Sequence, residues 1–412
     1  MVRVGGPELV GTRRHAAFGP VRSRAWRVRP TVEWERPVSM THRIALVASA
    51  LAGAAATAVL AAAPAAQAGT PGSFIGGFHK LTTIGTTVPA NGDVNPYGMA
   101  LVRQSRGSLV KGDVLISNFN SSKNLQGTGT TIVQVSPAGK LSLFATIVAS
   151  KLPGPCPGGV GLTTALEILR NGWVVVGSLP TKDGTAATAS AGCLIVLDNR
   201  GHVRETFSGN GINGPWDMAA ASHGPFAELF VSNVLDGTVA AGGKVVHKGT
   251  ILRLVLMVGG SQPPRLINTT KIGSGFPQRT DPAALVIGPT GLGLAPSGTL
   301  YVANSLDSAI NAIPSATRRS DSAGTGTKIT SGGALSTPLG LIIAPNGDVL
   351  TVNGGNGLIV ETSPSGMQVA KKLLDSSGSP PGAGALFGLA LAPDHAGVYY
   401  VDDAVNTLRL LH

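Results

Sequence analysis

Few residues in this chain could carry out chemistry. Charged residues make up only 13% of the 412-residue sequence, so each carboxylate and histidine can be weighed singly. Glu167 is the first glutamate after residue 68, and Asp217 follows Trp216 in the stretch Gly-Pro-Trp-Asp-Met at 214–218. One or two such carboxylates with Asn oxygens beside them suit Ca²⁺, a hard cation that takes oxygen ligands. Past residue 68 the histidines are His79, His202, His223, His247, His395 and His412. Most stand in turn-like stretches such as Asn199-Arg200-Gly201-His202, where a histidine is ordinarily solvated surface. Gly177-Ser178 and Gly273-Ser274 lack the G-x-S-x-G context of a nucleophile elbow. Gly354-Gly355-Asn356-Gly357 lacks the Lys-Ser/Thr ending of a phosphate loop. The basic doublets Arg318-Arg319 and Lys371-Lys372 do not interleave with aromatics, which argues against nucleic-acid binding.

The two cysteines, Cys156 and Cys193, form no C-x-x-C pair and join no zinc-spaced cluster. They are either bonded to one another or buried as free thiols. An oxidising compartment favours the bond, which would contribute about 3–4 kcal/mol by restricting the unfolded chain.

The elements that must position these residues come from an internal repeat. Its clearest copies read PTGLGLAPSGTLYVAN at 289–304, PLGLIIAPNGDVLTVN at 338–353 and LFGLALAPDHAGVYYVD at 386–402. Earlier copies run from NPYGMALV at 95 to Asn118, from Leu162 to Ser178, and from GPWDMAAA at 214 to Asn233. Each opens with an apolar strand, turns, and returns in a second strand. Five of the six second strands end in Asn118, Asn233, Asn304, Asn353 or Asp402. A third and a weaker fourth strand follow, as in GLIVETSPSG and QVAKKLL. The 57 Gly and 28 Pro fall largely at the turns. A four-stranded sheet cannot bury both of its apolar faces alone, and sheets packed around an axis can.

The fold class read from this pattern is all-β: a six-bladed β-propeller of four-stranded antiparallel blades over residues 69–412. The last copy stops at His412 after its third strand, so an N-terminal strand within FIGGFHKLTTI at 74–84 is expected to close the last blade. The recurring Asn and Asp residues are expected to bond to turn backbone, because turns recur in every copy whereas chemistry is usually needed once.

The P-x-G-x-x-x-x-P-x-G and apolar-x-V-x-N stretches resemble NHL-repeat proteins and their six-bladed relatives, among them gluconolactonase/regucalcin-like and streptogramin-lyase-like propellers. The resemblance covers most of residues 86–412. It implies that residues near the start of first strands line the central channel and its mouth. Asn95, Tyr97, Trp216 and Asp217 are then candidate ligand-binding residues, and Glu167 with Asp217 a candidate metal pair for Ca²⁺. Glu167 is singled out because its equivalents in the other copies are apolar or Gly. The relatives' pattern also implies a Glu near the start of the first blade, where this chain has none. Their histidine–carboxylate sites have no paired counterpart here.

Charge and targeting complete the reading. Residues 41–68 carry His42-Arg43, an uncharged Ala-rich run, Pro64 and the small-residue ending Ala66-Gln67-Ala68. With Met40 ahead of them, residues 40–68 read as a signal peptide cleaved after Ala68. Residues 1–39, rich in Arg and Pro, fit no signal-peptide design and read as a non-native upstream extension. Residues 1–68 hold 9 Lys/Arg against 3 Asp/Glu, more than half of the net +11. The expected protein is exported, to the periplasm or beyond the cell, without stable membrane insertion. It is expected to be a binding module for a protein, glycan or small molecule. The alternative is a metal-dependent lactonase- or esterase-like hydrolase or lyase working at the channel mouth.

Overall fold

The computed structural model describes residues 72–282 and 284–412. The readings for residues 1–39 and 40–68 lie outside the described residues. Short runs of β-branched and aliphatic residues, punctuated by Gly, Pro and Asn, fold as 25 strands. The first, β1 (Leu81–Thr86), belongs to the last blade.

Blade 1 is β2 (Val94–Leu101), β3 (Val114–Asn120), β4 (Thr131–Val135) and β5 (Leu141–Thr146). Blade 2 is β6 (Leu162–Ile168), β7 (Val174–Ser178), β8 (Cys193–Leu197) and β9 (Val203–Phe207). Blade 3 is β10 (Pro215–His223), β11 (Phe226–Asn233), β12 (Val246–Met257), β13 (Arg265–Asp281) and β14 (Leu285–Ile287). Blade 4 is β15 (Pro289–Leu294), β16 (Leu300–Asn304), β17 (Ala309–Ile313) and β18 (Thr327–Ser331). Blade 5 is β19 (Pro338–Ile343), β20 (Val349–Asn353), β21 (Leu358–Thr362) and β22 (Gln368–Leu373). Blade 6 is β23 (Leu386–Leu391), β24 (Val398–Asp402) and β25 (Thr407–Leu411), completed by β1. All pairings within the blades are antiparallel. The expected closure is present: Leu81 pairs with Leu411 and Thr86 with Thr407.

The innermost strands β2, β6, β10, β15, β19 and β23 pack against one another in a ring around the channel. Every one breaks register with its partner shortly after its start, as between Pro96 and Met99 or Leu386 and Leu389. The glycines of the repeat stand at this break. A Cβ on Gly291, Gly340 or Gly388 would run into the carbonyl of Leu339, Phe387 or Tyr97 on the next inner strand. Glycine is thus required by the close approach of neighbouring blades.

The seams are also clasped by hydroxyls. Ser117 Oγ accepts from Gly98 N–H at 3.0 Å and donates to Thr163 O at 2.7 Å. Ser232 Oγ repeats this between blades 3 and 4, accepting from Asp217 N–H at 3.1 Å and donating to Thr290 O at 2.8 Å. Each such buried bond contributes about 0.5–1.5 kcal/mol.

Three of the Asn residues near the ends of the second strands hold the segment that leads into their own blade, while Asn304 Nδ2 donates to Asp307 Oδ2 in the following turn at 3.0 Å. Asn118 Nδ2 donates to Thr87 O at 3.1 Å, and Asn353 Nδ2 to Ala334 O at 2.8 Å. Asn233 Oδ1 accepts from Asn213 N–H at 3.1 Å. Asp402 instead takes Arg409 Nη1 at 2.8 Å.

Blade 3 departs from the repeat. Its fourth strand, β13, runs on to Asp281 and turns back as β14. Cys156, in the loop leading into blade 2, is bonded to Cys193 at the start of β8. This resolves the choice between bond and free thiols. Among the described residues no helix is long and apolar enough to cross a membrane.

Candidate functional site

The channel has two ends, and the inner strands all run from one to the other. At their N-terminal ends the channel is filled. The Tyr97 ring stacks on Phe387 at 3.9 Å and on Phe119 at 4.5 Å between centroids, with Trp216 at 6.3 Å. Tyr97, Trp216 and Phe387 come from blades 1, 3 and 6, so their rings meet across the axis. Leu339, Leu235, Leu285 and Val286 pack in the same cluster. Leu285 and Val286 belong to β14, so the extra hairpin of blade 3 covers this end. Gln126 Nε2 of blade 1 donates to Pro282 O in the hairpin's turn at 3.0 Å.

Asn95, Tyr97 and Trp216 are therefore buried at 5%, 2% and 3% exposure. They were expected to line the channel and its mouth, and they lie at its closed end. Burial, then the charge of Asp403, pushes the Tyr97 phenol well above its usual range. Asp403 is itself pushed up to about 7, by burial and then by Asp402.

At the C-terminal ends of the inner strands the channel opens into a cavity of about 460 Å³. Its wall is uneven. Blades 4 to 6 supply Leu292, Leu294, Ile342, Ile343, Leu389 and Leu391. Blades 1 and 2 supply Arg103, Gln104, Arg106, Glu167, Arg170 and Asn171. Arg103 and Arg106 lie in the turn between β2 and β3, and Arg170 in the turn between β6 and β7. These arginines are exposed at the rim and have no carboxylate within ion-pair distance among the described residues. No histidine lines the cavity.

Glu167 is the one carboxylate of the cavity lining. Blade 2 has one extra residue at the register break, since Leu162 and Leu166 face Ser178 and Val176. Glu167 then takes the place that Ala100, Ala219, Gly293, Ile342 and Ala390 hold in the other blades. Desolvation raises its ionisation to about 7 against the opposing pull of Arg103 and the backbone N–H groups of Ala220 and Ile168.

Asp217 stands at the glycine position of blade 3 and points across the seam. Its Oδ2 accepts from Leu292 N–H at 2.9 Å. Burial pushes its carboxyl well above the usual range, opposed by the N–H groups of Leu292 and Met218 and reinforced by Glu167. Glu167 and Asp217 are thus close enough to feel each other's charge. As a calcium site the pair is short of ligands. One Asp217 oxygen is committed to the backbone, and no cluster of three His, Cys, Asp or Glu exists among the described residues. A Ca²⁺ ion takes six to eight oxygens.

The sequence reading missed the rim. Arg103 and Arg170 occupy equivalent turns of consecutive blades, where the last three copies carry Pro-Ser-Gly, Pro-Asn-Gly and Pro-Asp-His. That replacement was the available signal.

No family model and no curated protein sequence matches the chain. Solved structures do. Regucalcin, a calcium-binding protein of Agrobacterium tumefaciens, matches with a TM-score of 0.50 at 13% identity, over 80% of this chain and 93% of that one. A gluconolactonase of Xanthomonas campestris matches with a TM-score of 0.49 at 13% identity, over 80% and 88%. A catalytically inactive virginiamycin B lyase of Staphylococcus aureus with quinupristin gives 0.46 at 14% identity, over 81% and 99%. The six blades are given by the chain's own sheet topology, and these propellers stand among its structural neighbours. At these identities the likeness speaks for the fold alone.

Proposed function

We propose that the chain is an exported ligand-binding propeller that takes a small molecule into the open end of its channel. The observation carrying this reading is the blind cavity of about 460 Å³, closed below by the Tyr97–Trp216–Phe387 plug. Its volume lies in the range of small-molecule pockets, and apolar wall with a few convergent polar groups is their usual lining. The disulfide is consistent with an oxidising destination.

The test is a thermal-shift screen of small-molecule classes on the protein and on Ala220→Trp. Ala220 is partly exposed and lines the cavity at the edge of the apolar cluster of blades 2 and 3, so an indole there fills cavity space, and a parent-like ligand-free Tm shows that the cluster stays intact. Compounds that raise the Tm of the parent but not of the variant support the reading. Shifts that persist unchanged in Ala220→Trp would place binding elsewhere.

A hydrolytic alternative rests on one feature. Glu167, raised to about 7 inside the cavity, has the proton affinity of a general acid or base working near neutral pH. Metal-dependent lactone or ester hydrolysis would then require a Glu167-dependent rate and a Tm rise on adding Ca²⁺ or Mg²⁺. A parent rate matched by Glu167→Gln, with no divalent-ion shift, rejects it.

A further inference from the structure

We infer that the ligand of the open cavity is an amphipathic anion, with an apolar body and one carboxylate- or phosphate-type head. This rests on the cavity reading above and adds the ligand's chemistry. The wall is apolar on every blade, and its charge sits on two of them. Leu292, Leu294, Ile342, Ile343, Leu389 and Leu391 make a continuous aliphatic half on blades 4 to 6. Blades 1 and 2 also bring Met99, Leu101, Ile168 and Leu169, but they alone add charge: three arginines against a single carboxylate.

The arginines are not used up by the fold. Arg106 Nη2 reaches Gln104 Oε1 at 3.5 Å, and Arg170 Nη1 reaches the Gly224 carbonyl at 3.5 Å. Both are long, exposed contacts to neutral acceptors. Arg103 faces Glu167, beyond ion-pair distance. A guanidinium fork matches the two oxygens of a carboxylate or phosphate.

Glu167 fits the same ligand. Near neutral pH a large share of its carboxyl keeps its proton, so it can donate to an anionic oxygen instead of repelling it. A neutral sugar would leave the aliphatic half without a partner. A hydrocarbon without a charge would leave the arginine rim unused. An anion with an apolar body meets both halves at once.

The experiment is calorimetric titration at constant pH with octanoate, octanol, octyl phosphate and inorganic phosphate. Anionic vesicles are assayed separately by co-sedimentation. Octanoate or octyl phosphate binding at least about tenfold tighter than both octanol and inorganic phosphate supports the inference. Whichever of the two binds more tightly identifies the head group. Arg103→Gln with Arg170→Gln should weaken the preferred anion about tenfold and leave the ligand-free Tm unchanged.

Octanol binding as tightly as octanoate would overturn the role of the rim. Inorganic phosphate binding as tightly as octyl phosphate would overturn the role of the apolar half. Capture by vesicles without binding of the free anions would also overturn it, by locating the contact on a membrane surface. If neutral ligands bind and lose binding in Ala220→Trp, the anion inference fails while the cavity reading stands. If nothing responds to Ala220→Trp, the cavity reading fails first.

Discussion

The two ends of the channel are made by the same six strands, yet they differ in almost every physical respect. At one end Tyr97, Trp216 and Phe387 close on the axis beneath the β13–β14 hairpin, and polar atoms there are buried with them. At the other end the channel opens, and arginines from the turns of two consecutive blades face a largely aliphatic cavity. A repeat can thus put its stability at one pole and its unused charge at the other. The plugged pole needs ring surface to be buried, and the open pole needs charge to stay available.

Truncating the plug should have the largest effect. Trp216→Ala is expected to cost about 3–5 kcal/mol in denaturant unfolding, as for other buried aromatic truncations. A cost near zero would mean that the rings do not hold this end together. The disulfide lies on the same side, where loops enter the inner strands. Cys156→Ser with Cys193→Ser should lose about 3–4 kcal/mol by the loop-entropy model, read under oxidising conditions and lost in reductant.

Asp217→Ala at the blade 3–4 seam is expected to cost about 1–2 kcal/mol, from the bond to Leu292 N–H. A pH-dependent effect belongs to Glu167, whose folded ionisation lies above its ordinary value. The folded state holds a proton that the unfolded chain releases, so this contribution is full below the ordinary carboxylate range. It is lost as pH rises to about 7. Glu167→Gln should flatten the fall of Tm between pH 5 and 8 by about a few degrees. An identical slope in both proteins would show that the group is not desolvated. The smallest effect is expected at the rim, where Arg103→Ala should change stability by less than about 0.5 kcal/mol.

The sequence was most readable where it repeats. Second strands ending VLISN, LFVSN and LYVAN mark the blades, and the Asn positions declared their turn-holding role through recurrence alone. Glu167 was found because five counterparts lack a charge. The β13–β14 hairpin was missed for a physical reason. Residues 273–282 carry Gly273, Gly275, Pro277 and Pro282, which read locally as turn, and only the packing of Leu285 and Val286 on the channel aromatics makes them structure. That packing spans blades, so no local pattern encodes it. Tyr97 and Trp216 misled for the same reason, since a channel position does not say whether its end is open. The rim arginines are far apart in the sequence, and only the fold brings their two turns side by side.

The pairing of β1 with β25 joins Leu81 to Leu411, so the last blade contains the beginning and the end of the ring. This sets an order in time. Blades 1 to 5 are each written in one continuous piece and can form as their strands become available. Blade 6 must wait for the final residues, with β1 exposed as a free edge in the interval. A chain made from its N-terminus therefore delivers the strand that needs a partner first and the partner last. Removing Thr407–His412 should leave five formed blades and a persistent sticky edge, so that truncation shows itself as self-association more than as general unfolding.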